Sequence, residues 1–568
     1  MTAAARVWAP GHQVECVVGG ARRPLDGEAG GWQAGPGPQD GERYAFALDG
    51  GEPLPDPRSP SQPDGVHGAS AAVDHEAFAW TDAGWRGVPF AEALIYELHV
   101  GAFTPEGTFE AAIARLDHLV DLGVTAVELM PVAEFAGDRG WGYDGVDLYA
   151  PHHAYGGPEG LWRLVDACHG RGLAVLMDVV FNHLGPEGNY LARFGPYFTD
   201  HYSTPWGPAL NYDQRGSDEV RAFVLDCVEH WVRDYHCDGV RLDAVHAIFD
   251  MSATHLLEAI ADRARALQAE LGREVWVIAE SDLNDPRLVQ PVARGGYGLT
   301  ASWSDDFHHA LHALLTGERA GYYADFGSGD DLCRALREGY VYAGRYSAYR
   351  DRTHGRPLAD VALSRLLGYS QNHDQVGNRA LGDRSAALLS PGRLRAAAAL
   401  VLLSPFTPLL FMGEEWGAGS PFPYFTDLRD PGLGTAVSEG RRREFAAFGW
   451  DPATVPDPQD PAVFAAARLD WDEPGRAPHR EVLGWYRALI ALRRHHLALA
   501  GLRPGEVEAG WDETDRILTY RAAGLLVCVN LGATPCPPPA ASGGAPAALA
   551  WGLDGDGIAP DGVALWEL

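Results

Sequence analysis

Three carboxylates sit where a folded chain seldom leaves them idle. Asp243, Glu280 and Asp374 each follow a short apolar run; Arg241 and His373 stand beside two of them in sequence, and His183 closes another such run. Acidic residues are poor strand formers and cost free energy when buried without partners. Any one of them alone reads equally well as a loop start or a helix N-cap. Held together at one level, the set offers two chemistries. One is a divalent-ion site, but these residues stand in no H-x-x-x-H or E-x-x-H spacing that would support it. The other is cleavage of an acetal, in which one carboxyl protonates the leaving oxygen and a second stabilises the sugar cation. Asp243, two residues from Arg241, should stay ionised and nucleophilic beside the guanidinium. Glu280, close to other carboxylates, should hold its proton longer and suit the general acid.

The surrounding elements decide whether these groups meet. Short apolar strands are predicted at 94–100, 125–130, 173–180, 239–242, 275–279, 299–303, 367–371 and 409–412. Amphipathic helices are predicted between them at 109–122, 159–169, 219–235, 254–271, 307–315, 393–403 and 482–497, with only 285–294 for the fifth crossover. Near-continuous apolar strands joined by helices specify an α/β fold with a parallel sheet buried on both faces. Eight such strands close a (β/α)8 TIM barrel, in which residues just past the strand C-termini face the active-site mouth. A doubly wound open sheet would call for G-x-G-x-x-G after the first strand, and none is present. The expected layout is an N-terminal β-sandwich at 1–88, the barrel at 89–500 with an insertion at 184–217, and a C-terminal antiparallel β domain at 501–568. A second excursion, rich in Arg and Tyr, spans 340–363.

Composition narrows the ligand. The 568 residues contain 45 basic and 77 acidic side chains, a net charge of −32, and no lysine at all. Schiff-base, P-loop and kinase-type lysine chemistries are therefore excluded. So negative a field repels phosphate backbones and anionic lipid, so neither nucleic acid nor a membrane is an expected partner. Seven scattered cysteines without C-x-x-C spacing point to a reducing compartment, the cytoplasm. No cofactor and no catalytic metal are expected, and a neutral ligand fits best.

DVVFNH (178–183), GVRLDAVH (239–246), WVIAE (276–280) and QNHD (371–374) resemble the four sequence blocks of the α-amylase family of glycoside hydrolases and transglycosylases. The likeness extends to Gly123…Pro131 and to Tyr143 in GWGYD, while WAP near the N-terminus is similar to the opening strand of the module carried by glycogen- and maltodextrin-acting members. The resemblance implies that Asp243 is the nucleophile and Glu280 the acid/base, with Asp374 binding the 2- and 3-hydroxyls. It further implies that Arg241 orients Asp243, that His183 and His373 hydrogen-bond the sugar in subsite −1, and that Tyr143 stacks beneath it. Asp178 and Asn182 would support the loop after the third strand.

Loop segments at 279–289, 302–326, 371–384 and 404–417 look like the malto-oligosyltrehalose trehalohydrolase branch of that family. The implied substrate is a malto-oligosyltrehalose, cut with retention at the α-1,4 bond next to the terminal trehalose, a step of trehalose biosynthesis from glycogen or maltodextrin. The runner-up is a 1,4-α-glucan branching enzyme. Trehalose recognition is expected from mouth residues drawn from Trp206, Tyr212, Trp303, Asp305, Asp306, His309, Trp416 and Phe425, with the tract DDFHH (305–309) preferred because its charged pair should face the mouth.

Overall fold

The computed structural model describes residues 4–447, 451–555 and 557–568. Eight parallel strands close into a barrel. They are β1 (Ile95–Leu98), β2 (Ala126–Leu129), β3 (Ala174–Val179), β4 (Gly239–Leu242), β5 (Trp276–Ala279), β6 (Ala301–Trp303), β7 (Leu366–Gly368) and β8 (Thr407–Phe411). Every residue of all eight is buried, as the unbroken apolar runs require. Register sets charges side by side on neighbouring strands: Glu97 of β1 pairs with Glu128 of β2, and Asp178 of β3 with Arg241 of β4.

Helices cover the outside: α1 (Leu116–Leu122), α2 (Gly157–His169), α3 (Ser217–Arg233), α4 (Leu256–Leu271), α5 (Asp305–Thr316), α6 (Gly329–Glu338), α7 (Pro391–Leu402), α8 (Pro431–Ala447) and α9 (His479–His495). The helix expected at 109–122 is broken, with Phe109–Ile113 preceding α1. The fifth crossover contains only two 3-10 turns, Pro286–Leu288 and Val292–Arg294. The seventh strand stops earlier than its apolar run suggests. The Asn372 side chain there accepts from the N–H groups of Asp374 (2.9 Å) and Gln375 (3.4 Å) and starts the short helix His373–Gly377.

The insertion after β3 folds into an antiparallel hairpin, Phe198–Thr204 with Gly207–Leu210. The 340–363 excursion holds a second hairpin, Arg345–Ser347 with Arg352–His354. Arg345 and Arg350, two of its four arginines, pair with Asp331 and Asp282. Ahead of the barrel lie two antiparallel sheets, and after it a five-stranded antiparallel sheet built from Glu508–Asp512, Ile517–Ala522, Leu525–Asn530, Leu549–Asp554 and Gly557–Glu567. The seven cysteines are buried and unpaired. Among the described residues no helix is long and apolar enough to cross a membrane.

Candidate active site

Arg241 occupies the centre of the barrel mouth with no solvent exposure. Its Nη1 donates to both oxygens of Asp178 at 2.8 Å and to Asp243 Oδ1 at 3.0 Å, while Nη2 donates to Glu280 Oε2 at 2.9 Å. Trp303 lies under the guanidinium, 4.2 Å from Cζ to the ring centroid. A buried cation of this kind persists because carboxylates surround it on several sides.

Asp243 follows β4. Asn182, from the loop after β3, donates to its Oδ2 at 2.7 Å. Burial alone would raise the carboxyl's pKa, but Arg241, His183 and the Asn182 hydrogen bond outweigh it and hold Asp243 below the usual range. Ala244, the next residue, adopts a left-handed conformation (φ 39°), and its N–H donates to Glu280 Oε2 at 2.7 Å. A non-glycine residue held in that region marks a locally constrained turn. Burial pushes Glu280 well above the ordinary glutamate range against the pull of Arg241, with Asp243 and Asp374 adding to the rise. Both donors converge on Oε2, which leaves Oε1 to carry a proton. One guanidinium therefore joins a carboxylate held ionised to a carboxyl held protonated, the division of labour that acid-assisted nucleophilic displacement needs.

Asp374 is the most open of the three, about a third exposed, with its Oδ1 3.5 Å from His373 Nε2. His373 Nδ1 contacts Glu97 Oε1 at 2.5 Å, and its backbone N–H donates to Glu97 Oε2 at 3.0 Å. Burial disfavours the charged imidazole, yet Glu97 and Asp374 prevail and raise it to about 9. Tyr143 stacks on His373 with centroids 5.1 Å apart and donates to Asp178 Oδ2 at 2.6 Å. The Tyr143 carbonyl oxygen lies 3.0 Å from His183 Nε2, and His183 stacks on Trp206 at the hairpin tip.

These groups line a cleft of about 710 Å3 that continues past Asp144, His246, Asn378, Tyr424 and the α8 residues Arg441 and Glu444. The structure thus gathers Asp243, Glu280, Asp374, Arg241, His183, His373 and Tyr143 as expected. It corrects the expectation for the 305–309 tract. Asp306 does not face the mouth: it is buried and accepts from Asn284 and from the N–H groups of Val341 and Tyr342, anchoring the 340–363 excursion. His309 is buried against Tyr322, and Trp303 is sealed beneath Arg241. Asp305 is half-buried and accepts from Tyr369 at 2.6 Å. Tyr212, Trp416 and Phe425 are core residues, and of the aromatic mouth candidates only Trp206 reaches the cleft. Glu414 and Glu415 are buried, bonded to Ser370 and Tyr486 and to Tyr96 and His118.

Three contributors escape a motif-based reading. Glu97 sits inside β1, and its only signal is a carboxylate within the apolar run IYEL. Arg441 and Glu444 lie one turn apart in an Arg-rich helix that reads as solvated surface.

The alpha-amylase catalytic-domain family model matches residues 61–206. A malto-oligosyltrehalose trehalohydrolase of Arthrobacter ramosus is 54% identical over 533 residues, 92% of each chain. One from Mycobacterium tuberculosis is 51% identical, over 93% of each chain. A branching enzyme of Xanthomonas campestris is 30% identical over 72% of this chain and 59% of its own. A crystal structure of a Salmonella typhimurium protein assigned as an α-amylase superposes with a TM-score of 0.91 at 38% identity, covering 99% of this chain and 97% of that one. Near-complete alignment at this identity, on a barrel that presents the family's carboxylates around one arginine, means that the chain belongs to the malto-oligosyltrehalose trehalohydrolases of the α-amylase family.

Proposed function

We propose that the chain hydrolyses the α-1,4-glucosidic bond next to the terminal trehalose of a malto-oligosyltrehalose, releasing trehalose and a shorter maltodextrin. The observation that carries the reading is the full-length identity to trehalohydrolases, joined to Asp243 held ionised by Arg241 and Glu280 kept protonated by burial and its carboxylate neighbours. In the first step an Asp243 oxygen bonds to the anomeric carbon while Glu280 gives its proton to the glycosidic oxygen, and trehalose leaves. In the second, Glu280 takes a proton from water, whose oxygen attacks the same carbon and frees Asp243, with net retention. Arg241 fixes the nucleophile, and Asp374 and His373 hold the hydroxyls of the distorted ring. Tyr143 supports that ring from beneath, while His183 borders it at the side of the cleft.

Among the residues named from sequence for trehalose, half-buried Asp305, close enough to Asp374 to feel its charge, remains a candidate. Trp303, Asp306 and His309 act through Arg241 and the loops they pack against. We read 1–88, 89–500 and 501–568 as three folding units, supported by the separate sheets at each end. The buried, unpaired cysteines suit the cytoplasm.

The test is product analysis on maltopentaose and on the same dextrin capped by trehalose, at equal concentration. Trehalose release from the capped substrate, with at least tenfold slower attack on maltopentaose, is expected, and Asp243→Asn should abolish both. Formation of α-1,6 branches from amylose without trehalose release would instead identify a branching enzyme.

A further inference from the structure

Far from the cleft, the 3-10 turn His75–Ala77 packs against the C-terminal end of α3. His230 in the last turn of α3 and Asp234, four residues on, share one helix face. His75 brings a second imidazole, its ring centroid 5.1 Å from that of His230. One ligand atom from each of His75, His230 and Asp234 lies within 4.8 Å of the others. We propose that these three residues form a structural site for a divalent transition-metal ion such as Zn2+, fastening the chain segment ahead of the barrel to α3.

The hydrogen bonds of His230 and the bare nitrogen of His75 point to an ion. His230 Nε2 lies 2.9 Å from the Tyr149 carbonyl oxygen, which accepts but cannot donate, so this nitrogen carries the ring proton. A neutral His230 then turns the lone pair of Nδ1 toward Asp234 Oδ2, 2.7 Å away. At that distance a proton is what fits between them, and an ion bound there replaces it as the two atoms move a few tenths of an ångström apart. An extra proton on His230 satisfies this pair but does nothing for His75, whose Nδ1 is buried without a hydrogen-bond partner. A metal ion satisfies all three groups. Asp234, Asp74 and Asp40 supply negative charge around His75. Donation of a ligand histidine's other N–H to a backbone carbonyl is the usual outer-shell support of a metal site. Two imidazoles and a carboxylate suit Zn2+, Co2+ or Ni2+ rather than Ca2+ or Mg2+.

The second histidine cluster, Glu134 with His152 and His153, differs in this respect. His152 Nδ1 already accepts from the Ala154 N–H, which forces the proton onto Nε2, and His153 is spent between Glu134 and Asp138. The proposed ion lies apart from the cleft, and no step of the reaction runs through it.

The test uses the full chain stripped with a chelator, then titrated with CoCl2 and with ZnCl2 at neutral pH. One equivalent of Co2+ should bind with visible d–d absorption. Zn2+ at about 100 times its Kd should raise Tm by roughly 2 °C for a chain of this size, with kcat and KM unchanged. His75→Ala and Asp234→Asn should each lose the absorption and the shift. Absence of stoichiometric binding by the unmodified chain overturns the proposal, whatever the variants do. So does binding that survives both substitutions, which would place the ion elsewhere.

Discussion

Four acidic side chains and a histidine share the charge of the mouth with Arg241, and the arrangement extends a layer deeper through Glu97. That carboxylate takes the Nδ1 contact of His373 at 2.5 Å and its backbone N–H at 3.0 Å, both buried. Removing one member of a buried pair leaves the other uncompensated, at about 3–5 kcal/mol. The linkage has a definite sign. His373 is raised from its ordinary 6.5 to about 9, so it keeps its proton in the folded state over a range where the unfolded chain has lost it. Its stabilising contribution is complete below about 6.5 and is lost as pH rises through about 9. Urea unfolding of the wild type should therefore show stability declining between those values. Glu97→Gln should be less stable at neutral pH and show a much flatter decline, and equal slopes in the two proteins would rule out this pairing. At this scale the sequence was legible wherever a carboxylate ended a strand. It was mute at Glu97, because a single acidic residue inside an apolar run does not reveal which distant imidazole it will meet.

The loops between strand and helix turn these charges into a binding surface, and their demands are steric. Between Trp141 and Tyr143 the chain passes through Gly142 at φ 98°, where an added Cβ would stand 2.1 Å from the Pro131 carbonyl oxygen. Only glycine lets the β2 loop lay Tyr143 against His373. Gly142→Ala should cost about 3 kcal/mol, and a displacement of Tyr143 by about 1 Å should lower kcat roughly 100-fold. Gly157→Ala is the control: φ is 60°, also left-handed, but no atom lies within 4 Å of the added carbon, so about 1 kcal/mol and an unchanged kcat are expected. Comparable losses of kcat in both variants would show that strain alone, not the Pro131 contact, governs the loop. Strand order and the C-terminal-end rule were readable because apolar periodicity reports burial directly. The orientation of the 305–309 tract was not, since in the first turn of α5 two adjacent aspartates point to different surroundings. Asp306 turned inward because the N–H groups of Val341 and Tyr342 needed an acceptor.

Across the whole molecule, arginine alone supplies the fixed positive charge, and 45 arginines against 77 acids leave a surplus of 32 negative charges. Many arginines are already committed to internal pairs, as at Asp238, where Arg273, His169 and Trp85 converge on one carboxylate at the foot of the barrel. The unpaired remainder is mostly exposed acid that repels itself in the compact state. Added salt screens this repulsion within a Debye length of about 8–10 Å, while buried pairs such as Arg241–Asp178 are screened far less. Exposed ion pairs weaken too, but each contributes about 1 kcal/mol or less. The balance favours a Tm that rises as NaCl goes from roughly 0.05 to 0.5 M. A neutral oligosaccharide feels none of this field, so KM should stay constant over the same range. A falling Tm would mean that the exposed pairs outweigh the surplus charge. A KM that climbs with salt would mean that charge–charge contacts help bind the substrate, and so would overturn a neutral glucan as the ligand.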